Sequence, residues 1–178
     1  LAVETGAELF LVDAGWFGSK NGAWYLQRGD WFETESLNGG LNEVFDYARK
    51  RGLMCGLWME AEGCDFTSEL YKQHPEWVLN AYGKKLPVLN LCKKEVENFV
   101  YDSICNIIEK YKLDLFRIDG GLKEPSEEYT ENGYEGTSWK YYEVLYDIFE
   151  RIRKKYPSLY QTITQMPEFI EHNKKAEA

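Results

Sequence analysis

Short apolar runs alternate along the chain with longer stretches in which apolar residues recur every three or four positions. The runs Glu8–Asp13 (ELFLVD), Leu53–Met59 (LMCGLWM), Asp114–Asp119 (DLFRID) and Ser158–Thr164 have the length and content of buried strands. Helical spacing predicts a helix over 41–51, with Leu41, Val44, Phe45 and Ala48 on one face and Gly52 as its C-terminal cap. A second helix is predicted over Lys93–Tyr111, whose stripe runs from Val96 through Val100, Ile104 and Ile108 to Tyr111. A third covers Trp139–Tyr156, with Tyr142, Leu145, Ile148, Phe149 and Ile152 inward. A shorter helix fits Thr67–His74, capped by Thr67 or Ser68 and ended by Pro75. Pro87–Leu91 reads as a short extended piece. Residues 14–40 and Gly120–Thr137 read as loops, and 167–178 as a frayed polar tail.

The resulting order, β-α-β-α-β-α-β, is that of parallel strands joined by helical crossovers. No G-x-G-x-x-G or Walker pattern follows any strand, so a nucleotide-binding doubly wound sheet has no motif support. The expected fold is therefore α/β of the (β/α)8 TIM-barrel type, with about four βα units present. Residues 1–166 are expected to form this partial barrel. In a barrel, functional residues gather at the carboxyl ends of the strands. Here those ends read Asp13-Ala14-Gly15-Trp16, Trp58-Met59-Glu60-Ala61-Glu62 and Arg117-Ile118-Asp119-Gly120-Gly121, so carboxylates and tryptophans recur where the mouth of a barrel would lie.

Composition narrows the chemistry. A net charge of -9 disfavours a nucleic-acid partner, which needs a basic face. No apolar run reaches the ~18 residues of a membrane span. Two histidines, His74 and His172, leave little material for a His-based triad or metal site, so no metal or cofactor is expected. Cys55, Cys64, Cys92 and Cys105 lack C-x-x-C spacing and read as free thiols of a reducing compartment. The chain starts at Leu1 without a secretory leader pattern. It reads as an excerpt of a longer protein, with the cytoplasm the favoured setting. Nothing in the sequence fixes an oligomeric state. Aromatics make up 16%, enough to fill a core and also to line a sugar site.

Glycoside cleavage needs two carboxyl groups across the scissile bond, ~5–5.5 Å apart in a retaining enzyme. Asp119 is the candidate nucleophile: it ends a strand that would aim it, and two glycines follow that let a sugar come close. Its alternative is a plain turn cap. Asp13, Glu60 and Glu62 are candidates for binding sugar hydroxyls, with structural ion pairing as the alternative. Trp16 and Trp58 are candidate stacking platforms, or else core. Arg117 shares a side of its strand with Asp119 by period-2 alternation, where it can keep the nucleophile ionised or hold a hydroxyl.

Five blocks, ELFLVDAGWFG (8–18), GDWFETESLNGGL (29–41), RGLMCGLWMEAE (51–62), SELYKQHPEWVL (68–79) and DLFRIDGG (114–121), resemble glycoside hydrolase family 36, the melibiase or α-galactosidase family, in order and spacing. The resemblance implies a TIM barrel, an oligosaccharide or glycoside substrate and double-displacement hydrolysis with retention. It places the family's nucleophile on Asp119. Its sugar-contacting D-D-G-W motif falls on Asp13, Gly15 and Trp16, and its G-L-W-x-E-P-E motif on Trp58, Glu60 and Glu62. The family's Arg before an L-V-L-D segment falls on Lys84. The chain departs from the family at Ala14 (Asp expected), Arg117 (Lys expected) and Gly121 (Asn expected). Gln161-Thr162-Ile163-Thr164 stands where C-S-x-G-G is expected, and no residue matches the acid/base motif. The expectation is thus a divergent member and an incomplete barrel, unlikely to act alone. The alternatives are a raffinose-synthase-like transglycosylase and a non-catalytic carbohydrate-binding domain built on the same barrel.

Overall fold

The computed structural model describes residues 3–19, 23–81, 83–119 and 136–163. The predicted loop Gly120–Thr137 lies almost wholly outside them, as do Gly121, Thr164 and the tail 167–178. Four strands, β1 (Leu9–Val12), β2 (Met54–Met59), β5 (Leu115–Ile118) and β6 (Tyr160–Ile163), form one sheet in the order β1-β2-β5-β6. All three pairings are parallel, with Val12 opposite Leu57, Trp58 opposite Arg117 and Arg117 opposite Thr162. The crossovers carry α1 (Gly40–Arg49), α3 (Lys94–Tyr111) and α4 (Gly136–Lys155). Neighbouring strands thus follow chain order, as in an α/β barrel of which this sheet is a part.

The register sorts the side chains into two faces, because partners in a parallel ladder point the same way. Cys55, Leu57, Met59, Phe116 and Ile118 face the helices and are buried. They meet Leu41 and Phe45 of α1, Val100 and Ile104 of α3, and Leu145 and Ile148 of α4 in one core. The opposite face carries Leu11, Gly56, Trp58, Leu115, Arg117, Tyr160 and Thr162. Leu11, Leu115 and Arg117 are only partly covered there, and Tyr160 is 62% exposed. This second face is the inside of the barrel.

Most predicted elements fall within one or two residues of their place. Gly52 follows α1 with φ of 81°, the conformation that favours glycine at a helix end. Between Ser68 and Thr67 the cap of the short helix α2 (Glu69–Gln73) is Ser68, whose Oγ accepts the Tyr71 N–H at 3.1 Å. Thr67 instead donates to the Leu26 carbonyl. The main correction lies beyond α2. Rather than one extended piece at Pro87–Leu91, the chain forms an antiparallel pair, β3 (Val78–Ala81) with β4 (Lys84–Leu89). This pair lies outside the main sheet and is tied to the segment after β2 by Leu89 N–H to Glu62 O (2.8 Å) and Cys64 N–H to Pro87 O (3.0 Å). The predicted loop 14–40 is folded on itself, with Gly18 N–H donating to Phe32 O, Thr34 N–H to Trp16 O, and one 3-10 turn at Trp24–Leu26.

Candidate active site

The carboxyl ends of β1, β2 and β5 lie side by side, which brings Asp13, Glu60 and Asp119 to one edge of the sheet. The Asp119 N–H donates to Met59 O at 3.1 Å, continuing the β2–β5 ladder one residue past β5. Its carboxylate Oδ2 accepts the Trp58 indole N–H, also at 3.1 Å. The Trp58 carbonyl in turn accepts the Trp16 indole N–H at 2.7 Å. Two indoles from separate blocks therefore fix the end of β2 and the carboxylate beside it.

A second cluster stands next to this one. Arg28, from the long loop after β1, donates through Nη1 to Glu60 Oε1 at 2.6 Å. Its Nε and Nη2 form a fork onto the two oxygens of Asp65, at 2.8 and 3.0 Å. The Arg28 backbone N–H also donates to Asp65 Oδ2 at 3.1 Å, and the Asp65 backbone N–H donates to Arg28 O at 2.9 Å. A planar guanidinium matches two carboxylates in this way where an ammonium does not. Asp65 holds the guanidinium well above its usual range, with Glu60 adding to the effect. Burial raises Glu60 above the ordinary carboxylate range, Arg28 opposes that, and the charge of Asp119 adds to it. Gly63 is needed for the approach, since a Cβ there would meet Arg28 Cβ at 2.9 Å.

Glu62 sits deeper, 2% exposed. Burial pushes its carboxyl up to about 7, with Glu60 and Asp119 adding and the Tyr141 hydroxyl of α4 opposing.

The other residues singled out in the sequence take the following places. Trp16 is 1% exposed and packs on Phe17, Trp31 and Tyr111, so it supports the site from within the core and offers no stacking platform. Trp58 is 4% exposed, stacked on Phe17 and met edge-on by Trp24. Glu62 is buried and interacts by charge with Glu60 and Asp119. Asp13 is exposed and holds the Ala14 N–H at 2.7 Å. Arg117 shares the Trp58 face of the sheet; its Nε is buried and, among the described residues, has no hydrogen-bond partner. Lys84 is exposed at the start of β4, outside the indole and arginine clusters.

Arg28, Asp65 and Asp30 carry structure that the sequence reading did not single out. Asp30 is buried and accepts the Glu69 and Leu70 N–H groups at 3.0 and 3.2 Å, anchoring the loop after β1 to the start of α2. Their partners lie 32 to 40 residues away, so no local pattern announces them; the one signal is a lone Arg beside Gly29-Asp30.

A parallel α/β sheet with helical crossovers and a cluster of carboxylates at its strand ends defines a segment of a TIM-type barrel with its catalytic edge. The melibiase family model matches residues 1–163, and the chain belongs to that family. It is 32% identical, over 89% of its length, to the bifunctional α-galactosidase/sucrose kinase AgaSK of Mediterraneibacter gnavus, of which it covers 17%. Its structure is similar to that of the α-galactosidase from Lactobacillus brevis, with a TM-score of 0.78 and 25% identity over 91% of this chain and 23% of the other. The family 36 α-galactosidase AgaA from Geobacillus stearothermophilus, solved as a variant in complex with stachyose, gives a TM-score of 0.77 at 25% identity, covering 90% of this chain and 24% of that one. The chain thus spans about a quarter or less of the length of these relatives.

Proposed function

We propose that the protein carrying this segment is a retaining α-glycoside hydrolase of α-galactosidase type, which removes terminal α-linked sugars from oligosaccharides with Asp119 as nucleophile. The observation that carries the reading is the placement of Asp119: one residue past β5, at the carboxyl edge of a parallel sheet, with its carboxylate oriented by an indole and beside Glu60. Variants of the α-galactosidase AgaA solved in complex with stachyose and with raffinose support the substrate class.

In the first displacement a carboxylate oxygen of Asp119 attacks the anomeric carbon from the β face as the aglycone bond breaks. The leaving oxygen takes a proton from an acid supplied by another part of the barrel. Water, deprotonated by that same group, then cleaves the glycosyl ester and restores the α configuration. Asp13, Glu60, Lys84 and Arg117 are the side chains proposed to hold sugar hydroxyls. With only one member of the catalytic pair assigned in this segment, the segment alone is not expected to turn over.

In the intact protein, Asp119→Ala should cut kcat by about three orders of magnitude or more. Azide should restore turnover and yield the β-glycosyl azide, because the small anion takes the vacated place. Near-normal turnover in the variant contradicts the assignment. Ala14, where the family has a second Asp, favours one other reading, a barrel that binds sugar without cleaving it. Calorimetry with raffinose on the intact wild-type protein, showing binding with no product, would select it.

A further inference from the structure

We infer that Trp58 is a positioning residue for Asp119, acting through its indole N–H and not as a sugar-stacking platform; the inference rests on the reading of Asp119 as nucleophile. A stacking platform needs an open ring face. Trp58 has none: it is 4% exposed, Phe17 stacks on it at 6.3 Å with planes 15° apart, and Trp24 meets it edge-on at 5.9 Å. What it presents toward the strand ends is its N–H, 3.1 Å from Asp119 Oδ2. Its backbone is held by the β5 register on one side and by the Trp16 indole at its carbonyl. A buried aromatic fixed at ring and backbone has little freedom to turn, so the donor is rigid.

The bond has three consequences for double displacement. It fixes the plane of the carboxylate and makes Oδ1 the oxygen that forms the bond to the anomeric carbon. It favours the ionised nucleophile, since a donor to a carboxylate stabilises the charged form. It also stabilises the charge that returns to Asp119 when water cleaves the glycosyl ester. The second effect matters here because Glu60 and Glu62 both act on Asp119 through their charge, while Arg28 is engaged by Glu60 and Asp65.

The test is Trp58→Phe in the intact protein, which keeps a buried ring and removes the donor. Relative to wild type, kcat should fall about tenfold or more with KM changed less than about threefold. The acidic limb of kcat/KM should rise by about one pH unit. A raised KM with kcat and the acidic limb unmoved overturns the inference and returns Trp58 to sugar binding. A measurement that needs no Trp58 variant covers the case in which Trp58→Phe does not fold. The ultraviolet resonance Raman difference between wild type and Asp119→Asn should show one indole N–H passing to a weaker hydrogen bond, and identical spectra overturn the inference. Failure of azide to rescue Asp119→Ala would sink the nucleophile reading separately, whatever Trp58→Phe does.

Discussion

At Glu62 burial and the charges of Glu60 and Asp119 act in the same direction. Its carboxyl is raised from 4.5 to about 7 by burial, so the folded chain binds a proton that the unfolded chain releases between those pH values. Stability is then present below pH 4.5 and is lost as pH rises through about 7, on the order of 3 kcal/mol at most. Thermal unfolding of the intact protein followed from pH 5 to 8 should show this decline. Glu62→Gln should flatten it, whereas an unchanged slope in the variant contradicts the assignment. Arg28 poses the converse case, a cation whose removal strands Glu60 and Asp65. Arg28→Met should destabilise by about 2 kcal/mol in chemical denaturation. Arg28→Lys should recover less than half of that, because a point charge cannot reproduce the fork.

At the scale of elements, α2 is too short to persist by itself and depends on its caps. Asp30→Ala and Ser68→Ala should each cost about 1 kcal/mol of stability. Faster hydrogen exchange confined to residues 66–74 and the loop after β1 is the accompanying signature. The α2 cap was readable from local chemistry, as were the strands and the three long helices, because period-2 and period-3.6 patterns persist over whole segments. The β3–β4 pair was not. Val78–Ala81 is only four residues long, and its partner carries Lys84, Lys85 and Pro87, which mask the alternation. At the site, the strand-end carboxylates were legible by position. The burial of Trp16 and Trp58 was not, since a tryptophan beside a strand end reads alike whether its ring faces sugar or core. The Arg28 fork was equally hidden, as its partners come from a distant block.

For the molecule as a whole, the sheet has one face covered by helices and one face only partly covered among the described residues, with β1 and β6 each paired on one side only. Leu11, Leu115 and Tyr160 stand on the partly covered face, which further barrel strands would cover. A polypeptide of residues 1–178 alone should bind 8-anilinonaphthalene-1-sulfonate and self-associate in sedimentation velocity, and a dye-silent monomer would contradict this reading of the face. Where the sugar is held midway through turnover decides whether Asp119 is the nucleophile. The intact protein is treated with a fluorinated α-galactosyl donor whose ester hydrolyses slowly, and the peptides are mapped by mass spectrometry. One glycosyl group on Asp119 is the result predicted; a glycosyl group on Asp13, Glu60 or any other residue would contradict the account.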